Sequence, residues 1–262
     1  MNFDPHFIIT IIFAFTSGLI PTLVWLLFWM SEDKKNPEPK SMIALAFIGG
    51  MVAVFVSLFL EKYLYGLGLK NLFYTGFLKE ILSWFDVLSK QSGVFLDKVL
   101  LVVVFAPIIE ELSKFIMAYV LVLRSQADDE PLDPMIYMIT TALGFAAIEN
   151  MLFLINPFEN HDVILSIFTG NMRFIGATLL HTVSSATIAL FISFNFFTSR
   201  LKKLIFTLLG IVCSIIMHGV FNFFMIGNQE ASIMALELIW IAVIIILLAI
   251  EKIKKIRLEK IY

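Results

Sequence analysis

Seven apolar runs constrain this chain more than anything else in it, at about 7 to 30, 42 to 60, 98 to 123, 134 to 156, 174 to 197, 203 to 226 and 232 to 251. Each reaches the roughly 18 to 20 residues that carry an α-helix across a bilayer core. A soluble globule has about 45–50% apolar and about 25% charged residues. Here 60% are hydrophobic and 15% charged, which leaves too little polar surface for a water-soluble fold. The expected fold is therefore all-α: a polytopic transmembrane helix bundle of about seven spans, with residues 1–262 forming a single integral membrane domain. The lipid bilayer is its first partner. A net charge of −2 with no long basic block argues against nucleic acid. Cys213, the single cysteine, excludes an internal disulfide and a Cys-rich metal site.

Basic residues set the expected orientation. The short loops carrying Lys34, Lys35 and Lys40, then Arg124, then Arg200, Lys202 and Lys203, and the tail with Lys252, Lys254, Lys255, Arg257 and Lys260 fall on one side. By the positive-inside rule that side is cytoplasmic, which places the N-terminus outside and the C-terminus inside. The first run ends in Phe28, Trp29 and Met30 rather than at a small-residue cleavage site, so it stays as a helix. Between spans two and three, residues 61–97 read as an outer connector. Leu72, Phe73, Phe77, Leu78, Ile81, Leu82 and Phe85 recur there at helical spacing, the pattern of an interfacial amphipathic helix. Lysine far outnumbers arginine among the 19 basic residues, usage compatible with a low-GC bacterium and a plasma-membrane location.

A charge at the centre of a span costs about 2.5 to 3.5 kcal/mol on insertion scales, so each one is a functional-site hypothesis. They are Glu110, Glu111 and Lys114 in span three, Glu149 with Asn150 in span four, His181 in span five and His218 with Asn222 in span six, with Arg173 at the entry of span five. Counted from the outer helix ends at about 1.5 Å per residue, Glu149, His181 and His218 lie roughly 10 to 12 Å deep and Glu110 roughly 18 Å. Four helices thus put their costly groups in one layer of the outer half. Lys114 stands i+4 from Glu110 and i+3 from Glu111, within reach of either carboxylate. Pro107 loosens the helix just ahead of Glu110. Ala142, Gly144, Ala146 and Ala147 offer a small-residue surface for close helix approach.

Such a set fits hydrolysis. A carboxylate can act as general base toward water with a histidine sharing the proton, while His218 and Asn222 can donate to a developing oxyanion. Glu110, His181 and His218 are also candidate zinc ligands, since His and Glu with an open water position make a catalytic zinc shell. His-Glu-x-x-His is absent. A proton-coupled transporter would use the same groups as a relay, and a non-catalytic immunity or partner-binding protein would keep them for packing.

The segments Glu110-Glu111-x-x-Lys114, Gly144-Phe145-x-x-x-Glu149-Asn150, Arg173 followed by His181, and His218-x-x-x-Asn222, in that order and each in a separate span, resemble the PrsW-type intramembrane proteases. That family stands within the superfamily of CAAX prenyl endopeptidases and bacteriocin-processing (Abi) membrane proteins. The resemblance implies an endopeptidase that cuts a membrane-anchored, anti-sigma-factor-like protein on the extracytoplasmic side, with its catalytic core at about 98–226. It implies Glu110 activating water with His181, and His218 and Asn222 forming an oxyanion hole, with Glu111 and Glu149 in the same catalytic set. Lys114, Asn150 and Arg173 take supporting roles. The prenyl branch carries an arginine five positions after the first glutamate, where this chain has Phe115, so prenylated substrates are not expected.

Overall fold

A computed structural model of the chain describes residues 5–33, 36–66, 100–159, 173–227 and 229–261. The expected interfacial helix lies outside them. Among the described residues there is helix and no strand. Helix α1 spans Pro5–Met30 and runs into a 3-10 turn at Ser31–Asp33; α2 spans Lys40–Gly66. A π-helical turn at Leu101–Phe105 opens α3, Ala106–Leu121. Then come α4, Asp133–Glu159, and a second π-helical turn, Arg173–Ala177, that leads into α5, Thr178–Phe194. The chain closes with α6, Arg200–Ile226, and α7, Gln229–Ile261.

Among the described residues, six of the seven α-helices are long and apolar enough to cross a membrane, so this is a multi-pass membrane bundle. The exception is α3, at 16 residues. Its apolar run is interrupted by the π turn and by the charged groups of Glu110, Glu111 and Lys114. Two other boundaries differ from the hydropathy count. Helix α2 continues through Glu61 to Gly66, because one carboxylate ends an apolar run without ending a backbone hydrogen-bond ladder. Helix α7 likewise carries Lys252, Lys254 and Lys255, expected in a tail, and Lys254 Nζ reaches Glu32 Oε2 at 2.8 Å.

Helices α4 and α5 are the centre. In each, 72% of the apolar window is buried inside the protein, against 22 to 44% for the other long helices. Helix α4 packs on α1, α2 and α5, while α5 packs on α4, α6 and α7. The small residues of α4 explain how the backbones come so close. A Cβ on Gly144 would fall 1.9 Å from Phe47 O of α2, and one on Gly50 of α2 would fall 1.9 Å from Thr141 O of α4. The two glycines form a reciprocal backbone contact that no side chain can enter. In lipid, where apolar burial does not drive helices together, such van der Waals contact is what holds a pair.

Pro107 explains the first π turn. Ala106 donates its amide to Leu101 O in the i→i+5 register, so the next carbonyl, Val102 O, would need an amide from residue 107. Proline has none. Asn222 Nδ2 of α6 supplies the missing donor at 2.9 Å. A Cβ on Gly219 would come within 2.5 Å of Val103 O, so glycine there lets α6 press against the same turn.

Candidate active site

A cavity of about 410 Å³ opens between the C-terminal half of α2, both π turns and the facing sides of α4, α5 and α6, and Glu110, Glu149, Arg173, His181, His218 and Asn222 all line it. The four groups whose depth was counted along their helices, Glu110, Glu149, His181 and His218, thus face one cavity.

Two histidines face one carboxylate across it. Glu110 Oε2 lies 3.9 Å from His181 Nδ1 and 3.8 Å from His218 Nε2. This oxygen is buried and has no hydrogen-bond partner, which is unusual for a buried polar atom and calls for an occupant. The rings meet edge to face, with centroids 5.3 Å apart.

The outward nitrogen of each ring is held by another glutamate. His181 Nε2 lies 2.7 Å from Glu149 Oε2, and His218 Nδ1 lies 2.6 Å from Glu111 Oε1. An ionised carboxylate only accepts, so those nitrogens carry the protons and the inward nitrogens keep lone pairs. This tautomer assignment follows from the hydrogen bonds. Both lone pairs therefore face Glu110.

Each holding glutamate is itself fixed. Arg173 Nη2 donates to Glu149 Oε2 at 2.5 Å, while Arg173 Nε donates to Asn150 Oδ1 at 2.6 Å. Asn150 Nδ2 in turn donates to Thr178 Oγ1 at 3.0 Å. The Arg173 guanidinium also lies 3.8 Å from the centroid of Phe153, where the aromatic face attracts a cation. Glu111, fully buried, accepts from Lys114 Nζ at 2.6 Å, Ser184 Oγ at 2.9 Å and Ser214 Oγ at 3.0 Å. Lys114 also stands 3.3 Å from His181 Nδ1. A buried charge pair holds only when its remaining hydrogen-bonding groups are met as well, and the two serines do that for Glu111.

The motif glutamates thus divide. Glu110 faces the cavity, whereas Glu111 and Lys114 sit behind the histidines and do not line it. Ser184, Ser214 and Thr178 were missed by sequence reasoning. Ser184 is three residues after His181 and Ser214 four before His218, so helical spacing placed them on the histidine faces. Glu61 was missed too, because it had been assigned to a connector, yet it lines the cavity.

The residues present fit a metal ion. Glu110, His181 and His218 each offer one ligand atom, all within 4.8 Å of one another. A carboxylate and two imidazoles with an open position make a catalytic zinc shell. Imidazole ligands that pass their other N–H to a carboxylate are the usual support of such shells, and both histidines do so here.

No solved structure matches the chain. It is 25% identical over 248 residues to Protease PrsW of Clostridioides difficile (strain 630), covering 94% of this chain and 89% of that protein. To Protease PrsW of Geobacillus kaustophilus (strain HTA426) it is 23% identical over 218 residues, 82% of this chain and 80% of that one. To Protease PrsW of Bacillus subtilis (strain 168) it is 24% identical over 214 residues, 79% and 80% of the two. The pattern of the PrsW family intramembrane metalloproteases matches residues 38–250, which takes in α2 to α6 and every residue of the cavity described above. With that match across most of its length, the chain belongs to the PrsW family of membrane proteases.

Proposed function

We propose that this cavity hydrolyses a peptide bond in the extracytoplasmic part of a membrane-anchored protein, anti-sigma-factor-like by the family resemblance. The carrying observation is Glu110 Oε2, buried without a partner and facing two imidazole lone pairs. The outer-half position rests on the distribution of basic loops and on the bacterial plasma membrane as the setting.

Glu110, His181 and His218 would hold a divalent ion such as zinc. When bound, such an ion lowers the pKa of a water and polarises the scissile carbonyl. Glu149 and Glu111 fix both ring tautomers so that the lone pairs stay turned inward, and Arg173 and Lys114 balance those carboxylates. Asn222 spends one amide N–H on Val102 O and keeps a second with which to donate to the developing oxyanion. Arg173, Asn150 and Thr178 hold the second π turn against α4.

One observation favours a second reading. The Lys114 ammonium stands 3.3 Å from His181 Nδ1 and competes with a metal for that lone pair. Glu110 would then take a proton from water directly and pass it to the leaving amine, as the resemblance to the prenyl endopeptidases and Abi proteins implies. A proton relay for transport would use the same groups; membership of a protease family favours hydrolysis over it.

The test is cleavage of a co-expressed single-span protein by the wild type and by Glu110→Gln, followed by elemental analysis of both purified proteins. Loss of the fragment in Glu110→Gln supports the protease reading, and unchanged cleavage overturns it. Stoichiometric metal in the wild type selects the metal reading, whereas an active, metal-free, chelator-resistant protein selects the water reading.

A further inference from the structure

The cavity holds one more carboxylate than its chemistry uses. Val54, Ser57, Leu58 and Glu61 follow at i, i+3, i+4 and i+7 on α2, and this stripe forms one wall of the cavity that Glu110 and the histidines line. Glu149 is engaged by Arg173 and His181, and Glu110 faces the two imidazoles. Glu61, partly buried, has no hydrogen bond or ion pair with any described residue, and its electrostatic neighbours Glu149 and Glu110 both repel it.

An ionised carboxylate on an apolar wall is costly unless a cation meets it. Among the described residues lining the cavity, Arg173 is the only lysine or arginine, and it is taken by Glu149 and Asn150. The cavity that Glu61 shares is also lined by long apolar side chains, Leu58, Leu101, Phe153 and Met225. A side chain that suits both features has a methylene stem to lie along those walls and a cationic head to reach the carboxylate, which describes lysine and arginine.

We propose that Glu61 is a specificity-determining residue, and that it receives a lysine or arginine side chain of the substrate segment beside the scissile bond. This rests on the protease reading given above. With Glu149 paired to Arg173 and Glu110 committed to the histidine side, Glu61 is the carboxylate left to draw a basic side chain in and to disfavour an acidic one.

The probe is a library of membrane-anchored reporters, each with one transmembrane span and randomised residues on its extracytoplasmic side. It is co-expressed with the full-length wild type, Glu61→Gln, Glu61→Lys or Glu110→Gln, and the cut fragments are sequenced. The wild type should cleave reporters with Lys or Arg at one position near the cut about tenfold better than those with Gln or Met, as expected for a hydrogen bond to a charged group. In Glu61→Gln that ratio should fall to about one, and in Glu61→Lys it should invert in favour of Asp and Glu. Misfolding lowers every rate together and cannot invert a ratio, so the charge reversal keeps the test decisive. Cleavage with the same preference in the wild type and both Glu61 variants overturns the role of Glu61 alone, as does loss of a second bound metal equivalent in Glu61→Gln. No cleavage by the wild type of any reporter overturns the protease reading, and this inference with it.

Discussion

Glu149 Oε2 meets His181 Nε2 at 2.7 Å on the side of the ring opposite Glu110. A carboxylate there fixes which nitrogen is protonated and therefore which lone pair faces the cavity. Removing such a support commonly lowers metal affinity or activity about 10- to 100-fold. Glu149→Gln should show a loss of that order in cleavage, with the protein still extractable and monodisperse in detergent. Activity equal to wild type would show that His181 needs no support.

Lys114 and Glu111 are both fully buried at 2.6 Å from each other. Removing one partner of a buried pair costs about 3 to 5 kcal/mol, because the other charge is left uncompensated. Lys114→Met should therefore lower thermal stability strongly. The double variant Lys114→Met with Glu111→Gln should recover part of the loss, since it leaves no lone charge. A double variant less stable than Lys114→Met, measured by thermal unfolding in detergent, would contradict this pairing.

Asn222 Nδ2 takes the carbonyl that Pro107 leaves without a donor. Asn222→Ala should cost about 1 to 3 kcal/mol for an unsatisfied buried carbonyl. Pro107→Ala restores an amide at the i+5 position, so it should be less harmful, or stabilising, in the Asn222→Ala background than in the wild type. A double-mutant cycle on thermal stability measures the coupling, and strict additivity would refute the link.

Asp128, in the loop before α4, has its carboxyl pushed up to about 7 from 3.8, first by burial and then by Glu38 and Asp129, with Lys203 opposing. A folded-state value above the unfolded one means that folding favours the protonated form. The contribution is complete below about pH 4 and is lost as pH rises toward 7. Asp128→Asn should flatten that part of the stability–pH curve and raise stability at pH 8, read by thermal melts across pH 4 to 8. An identical pH curve for the variant would exclude Asp128 as the titrating group.

How much of this was legible in the chain differs from residue to residue. The i+3 spacing of Glu111 and Lys114 and the i+4 spacing of His218 and Asn222 put each pair on one helix face, and Gly144 marked where α4 would be approached closely. The partners across helices were not legible. Depth alone could not say that Glu149 holds His181 while Glu111 holds His218, because depth leaves rotation about each helix axis open. Glu61 was read as connector because its charge ends an apolar run, although a helical ladder carries one carboxylate without breaking. Pro107 announced a disturbance, but its form, a π turn completed by Asn222, depends on a helix more than a hundred residues away.

The chain by itself determined the local and linear features: which segments are long and apolar enough to span, and that the costly charges cluster at one depth. Those follow from helix rise and from the cost of charge in hydrocarbon, which any single segment feels alone. Only the tertiary structure decided that Glu110 faces the cavity while Glu111 is sealed behind it, and that Glu61 shares the cavity. The rotation and approach of each helix depend on non-local backbone contacts, such as Gly50 against Thr141 and Gly144 against Phe47, and no segment carries that information alone.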